Sequence, residues 1–296
     1  MLKLFVSPLK TWKATLQGYG AVLIWSWTAL FIHSTQNLSL FFILAISAFV
    51  GFLFYIPGWI KSPERLRTTL QQPLKNWNLL FLALFVYRFF YISGLRTAPI
   101  IEANLINYLW PPIMLVIGNL YKHRRPSERL MVALAAGIIG LLFIGLIKNG
   151  SYLTFEFGHY LSLIAAVLWA IFLLQAKDTI LGNNDIIGVI HLLSFAFFMT
   201  LHCLYEPKMD FGQILGVQWI SLLGLGMAVS LSYKLWDNAL SLGHFTKMVA
   251  AVSMIPFLST FWLILCKGEI LSPYLGLAAI LILCSSFLVR FLTLSL

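Results

Sequence analysis

Ten runs of mainly apolar residues, each about 20 long, follow one another along this chain with only short polar segments between them. They cover 12–32, 37–60, 77–97, 99–120, 127–147, 155–176, 186–205, 214–240, 245–266 and 273–294. A helix rises about 1.5 Å per residue, so roughly 20 residues cross the ~30 Å hydrocarbon core of a bilayer. The expected fold is therefore an all-α polytopic membrane protein of ten transmembrane helices. Only Thr97 to Pro99 separate the third and fourth runs, so nine spans with one long kinked hairpin is the competing count. Composition agrees with a lipid solvent. The chain is 60% hydrophobic and 10% charged, with a mean hydropathy of +0.89. A soluble domain carries about 25% charged residues. This chain has too little polar surface to cover itself in water.

The formal net charge is +10. In a soluble protein that would suggest a nucleic-acid partner. Here the basic residues cluster between the apolar runs, where they report topology, and no nucleic-acid partner is expected. Placing the N-terminus in the cytoplasm leaves 13 Lys and Arg inside and only Lys148, Lys208 and Lys267 outside. Cytoplasmic loops are enriched in such residues. Both termini are then cytoplasmic, and the expected location is the cell inner membrane. Cys203, Cys266 and Cys284 form no CxxC and read as buried small apolar residues. No small-residue cleavage site follows Lys3 and Lys10, so no cleaved signal peptide is expected. Neither a metal nor a cofactor is expected.

The runs repeat. Pro111 lies midway along the fourth and Pro256 midway along the ninth, 145 residues apart. Trp25 in the first and Trp169 in the sixth are 144 apart, and Pro126 and Pro273 before the fifth and tenth are 147 apart. Proline suits a helix start, where its missing N–H is not needed. One offset for three landmarks predicts a duplication into 1–150 and 151–296, five spans each. An odd number of spans makes the second half enter from the opposite side. Inverted repeats of this kind are typical of secondary transporters, whose substrate sites lie near the midplane.

Two strings narrow this further. The fourth run reads IEANLINYLWPP, and the eighth ends in SYKLWDNALSLG. The first resembles the fourth-helix pattern of the EamA-type branch of the drug/metabolite transporter superfamily, closest to its bacterial aromatic amino acid exporters. The second is similar to that family's Tyr-x-x-Trp-(Asn/Asp)-x-Ala-Leu pattern. The resemblance implies ten helices in two halves and export of a small metabolite. Arg88, Lys234 and Lys247 depart from it, standing where uncharged residues are expected.

A charge inside the bilayer costs at least roughly 2.5–3.5 kcal/mol at a helix centre, which makes each one a candidate. Arg88 lies near the middle of the third span, too deep to snorkel, and its guanidinium fork suits a carboxylate or phosphate. Lys234 is a second candidate of that kind. Pro111 frees the carbonyl of Asn107 one turn back, and the Asn107 side chain can both donate and accept. Tyr108 and Trp110, with Tyr91 and Trp236, make a ring-sized apolar surface. These seven residues are the expected substrate contacts; packing of aromatics against helices is the competing reading. Glu102 sits one turn into the fourth span, favoured there by the helix dipole. Its repeat equivalent is Lys247, at the opposite membrane face. Arg96 is the expected partner of Glu102 and Asp237 that of Lys247, as outer and inner gates.

Ala133, Ala136, Gly137 and Gly140 permit close packing of the fifth span. That packing is expected within one chain, so the protein is expected to be a monomer, with a dimer as the alternative. Nothing matches a Walker P-loop. The expected function is a secondary transporter exporting amino acids or related metabolites by alternating access. Uptake or exchange of an anionic or nucleotide-like metabolite is the alternative, and a membrane-embedded enzyme a second. The six histidines are scattered along the sequence and form no cluster expected of the last reading. The partners expected are a small-molecule substrate and the lipid bilayer.

Overall fold

The computed structural model describes residues 8–123, 125, 127–146, 153–176, 185–207, 209–252, 254–269 and 272–293. The boundary expected at 150/151 lies outside them, as do Lys3, Arg124, Lys148, Lys177 and Lys208. The described residues are helical, without strands. Helix α1 spans Pro8–Ser26 and resumes after a turn at Trp27 as Thr28–Ser34. Then come α2 (Leu40–Lys61), α3 (Asn76–Thr97), α4 (Ile100–Tyr121), α5 (Glu128–Leu146), α6 (Phe157–Gln175) and α7 (Asp185–Tyr205). Helix α8 starts at Gly216 and reaches Leu242 in two segments. Helix α9 is Phe245–Val252 followed by Ile255–Lys267, and α10 is Pro273–Thr293. Seven of the described helices, α2 to α8, are long and apolar enough to cross a membrane. Ala98 is extended and Pro99 caps α4, so the third and fourth runs are two helices rather than one long hairpin.

Two compact units form, one from residues 1–77 and 180–262, the other from 78–179 and 263–296. In the first, α2 packs on α7 and α8, and α1 on α8 and the start of α9. In the second, α6 packs on α3 and α4, and α5 on α10. Each unit thus draws helices from both halves of the sequence. Under the offset of about 145 residues, the pairing of α1 with α8 becomes that of α6 with α3.

Helix α5 shows what lipid does to packing. Its buried stripe is Ala133, Gly137, Gly140 and Ile144, whereas Met131, Val132, Ile138 and Ile139 are exposed. Small residues inside and large apolar ones outside reverse the soluble pattern, because lipid does not drive leucine inward. A Cβ at Gly140 would meet Ile282 at 2.8 Å and the Ala278 carbonyl at 3.0 Å, so the backbones of α5 and α10 nearly touch. Cys203, Cys266 and Cys284 are exposed, which corrects the expectation of burial; a thiol is apolar enough to face lipid.

Most helix irregularities have a local cause. Pro111 and Pro112 lie in the first turn of the second segment of α4, Trp110–Tyr121, and Pro256 does the same in α9. A proline fits there and nowhere deeper in a straight helix. The first segments, Ile100–Asn107 and Phe245–Val252, begin 145 residues apart. In α2, Pro57 brings a turn at Phe54 and Tyr55. Helix α3 widens into a π-helix over Leu82–Tyr87, a distortion frequent at functional sites.

Candidate functional site

Each unit holds a cluster of polar and aromatic side chains between its helices. In the second unit it grows from the π segment of α3 and the break of α4. Tyr87 and Tyr91 are one turn apart and stack with ring centroids at 5.6 Å. Trp169 of α6 lies 4.8 Å from Tyr87. The Tyr91 hydroxyl donates to Asn104 Oδ1 at 3.0 Å, and Asn107 Nδ2 donates to the Tyr87 hydroxyl at 3.4 Å. Asn107 Oδ1 is buried without a hydrogen-bond partner among the described residues. Arg88 follows the π segment and is 5% exposed. Tyr108 and Trp110 are half-buried at the α4 break. Pro112 as well as Pro111 lacks an N–H, so the Tyr108 carbonyl is also freed; the Ser286 hydroxyl of α10 donates to it at 2.9 Å.

At the start of α4, Glu102 meets His159 of α6: Nε2 lies 3.0 Å from Oε2, with side-chain exposures of 3% and 7% for His159 and Glu102. The Glu156 N–H donates to His159 Nδ1 at 3.0 Å. An Nδ1 that accepts leaves the ring proton on Nε2, so neutral His159 donates to the carboxylate. Glu102 therefore has a partner the sequence reading did not name, while Arg96 is half-buried at the end of α3. A Cβ at Gly158 would lie 2.5 Å from the Gly94 carbonyl and 2.6 Å from the Ala98 nitrogen. The start of α6 is held backbone against backbone on the end of α3, beside the pair.

In the first unit, Trp25 lies between Tyr233 and Trp236, at 5.7 and 5.5 Å. Lys234 does not present a free charge. Its Nζ donates to the Phe54 carbonyl at 2.7 Å and sits 3.7 Å from the centre of the Tyr55 ring. At the α2 turn the Gly58 N–H bonds to Tyr55 instead, which is why the Phe54 carbonyl is available. Lys247 is exposed, 5.3 Å from the Trp12 ring, and Asp237 is half-buried. Arg65, on a short helix Pro63–Leu70, grips Asp185 at the start of α7 through Nε and Nη2, at 2.9 and 3.0 Å.

Residues 12–146 match the EamA-like transporter family. The aromatic amino acid exporter YddG of Ancylobacter novellus is 29% identical over 277 residues, covering 91% of this chain and 94% of that protein. The chain is similar to EamA-like transporters over its first half. YddG of Escherichia coli is 22% identical across 54% of this chain and 56% of its own. A solved crystal structure 26% identical to this chain aligns over 94% of it and 96% of that one, with a TM-score of 0.67. The chain is a multi-pass protein of the inner membrane.

Sequence reasoning missed Tyr87, Asn104, His159 and His191. Trp25 and Trp169 carried a signal, as landmarks of the repeat, and they stand against aromatic residues of α8 and α3 respectively.

Proposed function

We propose that this transporter exports aromatic amino acids by alternating access. The observation that carries this is the second-unit cluster. A stacked Tyr87–Tyr91 pair with Trp169 beside it is an aromatic wall suited to a ring, and Asn107 Oδ1 is a buried acceptor with no partner among the described residues. An α-ammonium would supply the missing donor, and Arg88 would take the α-carboxylate. The relatives named as aromatic amino acid exporters support the same substrate class. Tyr108, Trp110, Trp236 and Lys234 remain candidate contacts. The anionic-metabolite reading loses ground, because Lys234 is engaged with a carbonyl and Lys247 is exposed.

We also read ten crossing helices in two inverted halves, 1–150 and 151–296, with both termini cytoplasmic. Support comes from the two broken helices, whose first segments begin at one offset. Glu102, with His159, is the outer candidate for gating or coupling; Arg96, Asp237 and Lys247 are the others. The small residues of α5 are spent on α10 of the same chain, which supports a monomer.

The test is counterflow in proteoliposomes with labelled phenylalanine. Unlabelled phenylalanine, tyrosine and tryptophan inside should drive uptake, and phosphorylated sugars or nucleotides should not. Arg88→Gln should lower flux at least tenfold, the loss of one good charge-assisted contact. Flux of the anions alone would reverse the assignment.

A further inference from the structure

Helix α8 is interrupted between Val229 and Leu231, with Ser230 at φ −132°, ψ −66°. The sequence there, MAVSLSYK, contains no proline and no glycine. Sharp breaks otherwise arise where a side chain inserts into the hydrogen-bond ladder; two side chains from other helices do so here, and the Ser230 side chain bonds outward to a third. His191 Nε2 of α7 donates to the Val229 carbonyl at 3.0 Å. Trp25 Nε1 of α1 donates to the Ala228 carbonyl at 2.9 Å. The Ser230 hydroxyl donates to the Gly51 carbonyl of α2 at 2.8 Å. In a continuous helix the Ala228 and Val229 carbonyls would take the amides of Ser232 and Tyr233.

A second feature fits the first. A Cβ at Gly51 would lie 2.9 Å from Ser230 Oγ and 3.0 Å from His191 Cδ2. Glycine there makes the notch that both side chains enter. His191 is fully buried. A carbonyl only accepts, so Nε2 carries a hydrogen whatever the state of Nδ1. The segment beyond the break, Leu231–Leu242, carries Tyr233, Lys234 and Trp236.

We propose that His191 is a positioning residue for transport. Its bond to Val229 keeps α8 open and sets the direction of the segment that presents Tyr233 and Trp236 beside Trp25. Its effect on transport rests on the reading that these aromatics face substrate. Without the bond, Val229 recovers the Tyr233 amide and α8 straightens.

Two measurements test this. In a background with Cys203, Cys266 and Cys284 replaced by alanine, spin labels at the exposed positions Val217 and Leu242 report the length of α8. His191→Leu and Gly51→Ala should each lengthen that distance, and His191→Gln, whose amide can still donate, should not. An unchanged distance in both His191→Leu and Gly51→Ala overturns the proposal, with or without a known substrate. In proteoliposomes, His191→Leu should raise the KM for phenylalanine about tenfold at an unchanged melting temperature, and His191→Gln should restore it. An unchanged KM, or equal loss in both variants together with a lowered melting temperature, overturns the role in transport. Absence of phenylalanine counterflow in the wild type instead overturns both the substrate assignment and the transport role, leaving the helix geometry to the spin-label result.

Discussion

Glu102 and Lys234 were both legible as residues that need a reason to be in a membrane, and their reasons differ. Glu102 is held by a histidine 57 residues away in sequence. No local spacing announces such a pair, so the sequence pointed to Arg96, the nearest cation. Lys234 pointed toward a substrate, since a cation at depth suggests an anion. The structure gives it a carbonyl and a ring instead, because the break in α2 leaves Phe54 unsatisfied. Lys234→Met should therefore lower stability by about 1–3 kcal/mol, the cost of a buried carbonyl left without a donor. Glu102→Leu should do likewise by stranding His159 Nε2–H. Detergent melting curves with and without phenylalanine measure both. A substrate role for Lys234 would show as lost ligand stabilisation at an unchanged apo melting temperature.

At the scale of the element, breaks written in proline were legible and breaks imposed by neighbours were not. Pro111 and Pro256 announced the interruptions of α4 and α9, although the second carbonyl freed by Pro112 was missed. Nothing in MAVSLSYK announces the interruption of α8, because its cause lies in His191, Trp25 and Gly51 on three other helices. Nor does sequence show the π segment of α3, which turns Arg88 inward. Glycine is similarly silent until a neighbour is known. Gly158 lies on Gly94, Thr97 and Ala98 with no space for a methyl group. Gly158→Ala should force α6 away from the α3–α4 corner, at a cost of about 1–3 kcal/mol or more. It should also pull His159 off Glu102. Reduced yield of monodisperse protein and a lower melting temperature are the expected results; wild-type behaviour would mean that the corner yields easily.

For the whole molecule, the duplication makes a claim about sidedness that composition alone cannot. Positive charge orients the chain once; an inverted repeat orients every equivalent pair of positions oppositely. Thr68 and Gln213 are such a pair, 145 residues apart and both exposed. Thr68 lies in the basic segment between α2 and α3, and Gln213 in the short turn Phe211–Gln213 between α7 and α8. If the halves are inverted and the N-terminus is cytoplasmic, the two positions face opposite solutions. Gln213→Cys, in the cysteine-free background, should then react with a membrane-impermeant maleimide in whole cells. Thr68→Cys should react only after the membrane is permeabilised. Labelling of both from outside would make the repeat parallel and would require an even number of spans in each half. Reversed labelling would keep the inversion and turn the molecule over, placing Glu102 and His159 on the cytoplasmic side. The same two variants thus separate the architecture from its orientation, because each alternative predicts a different pair of outcomes.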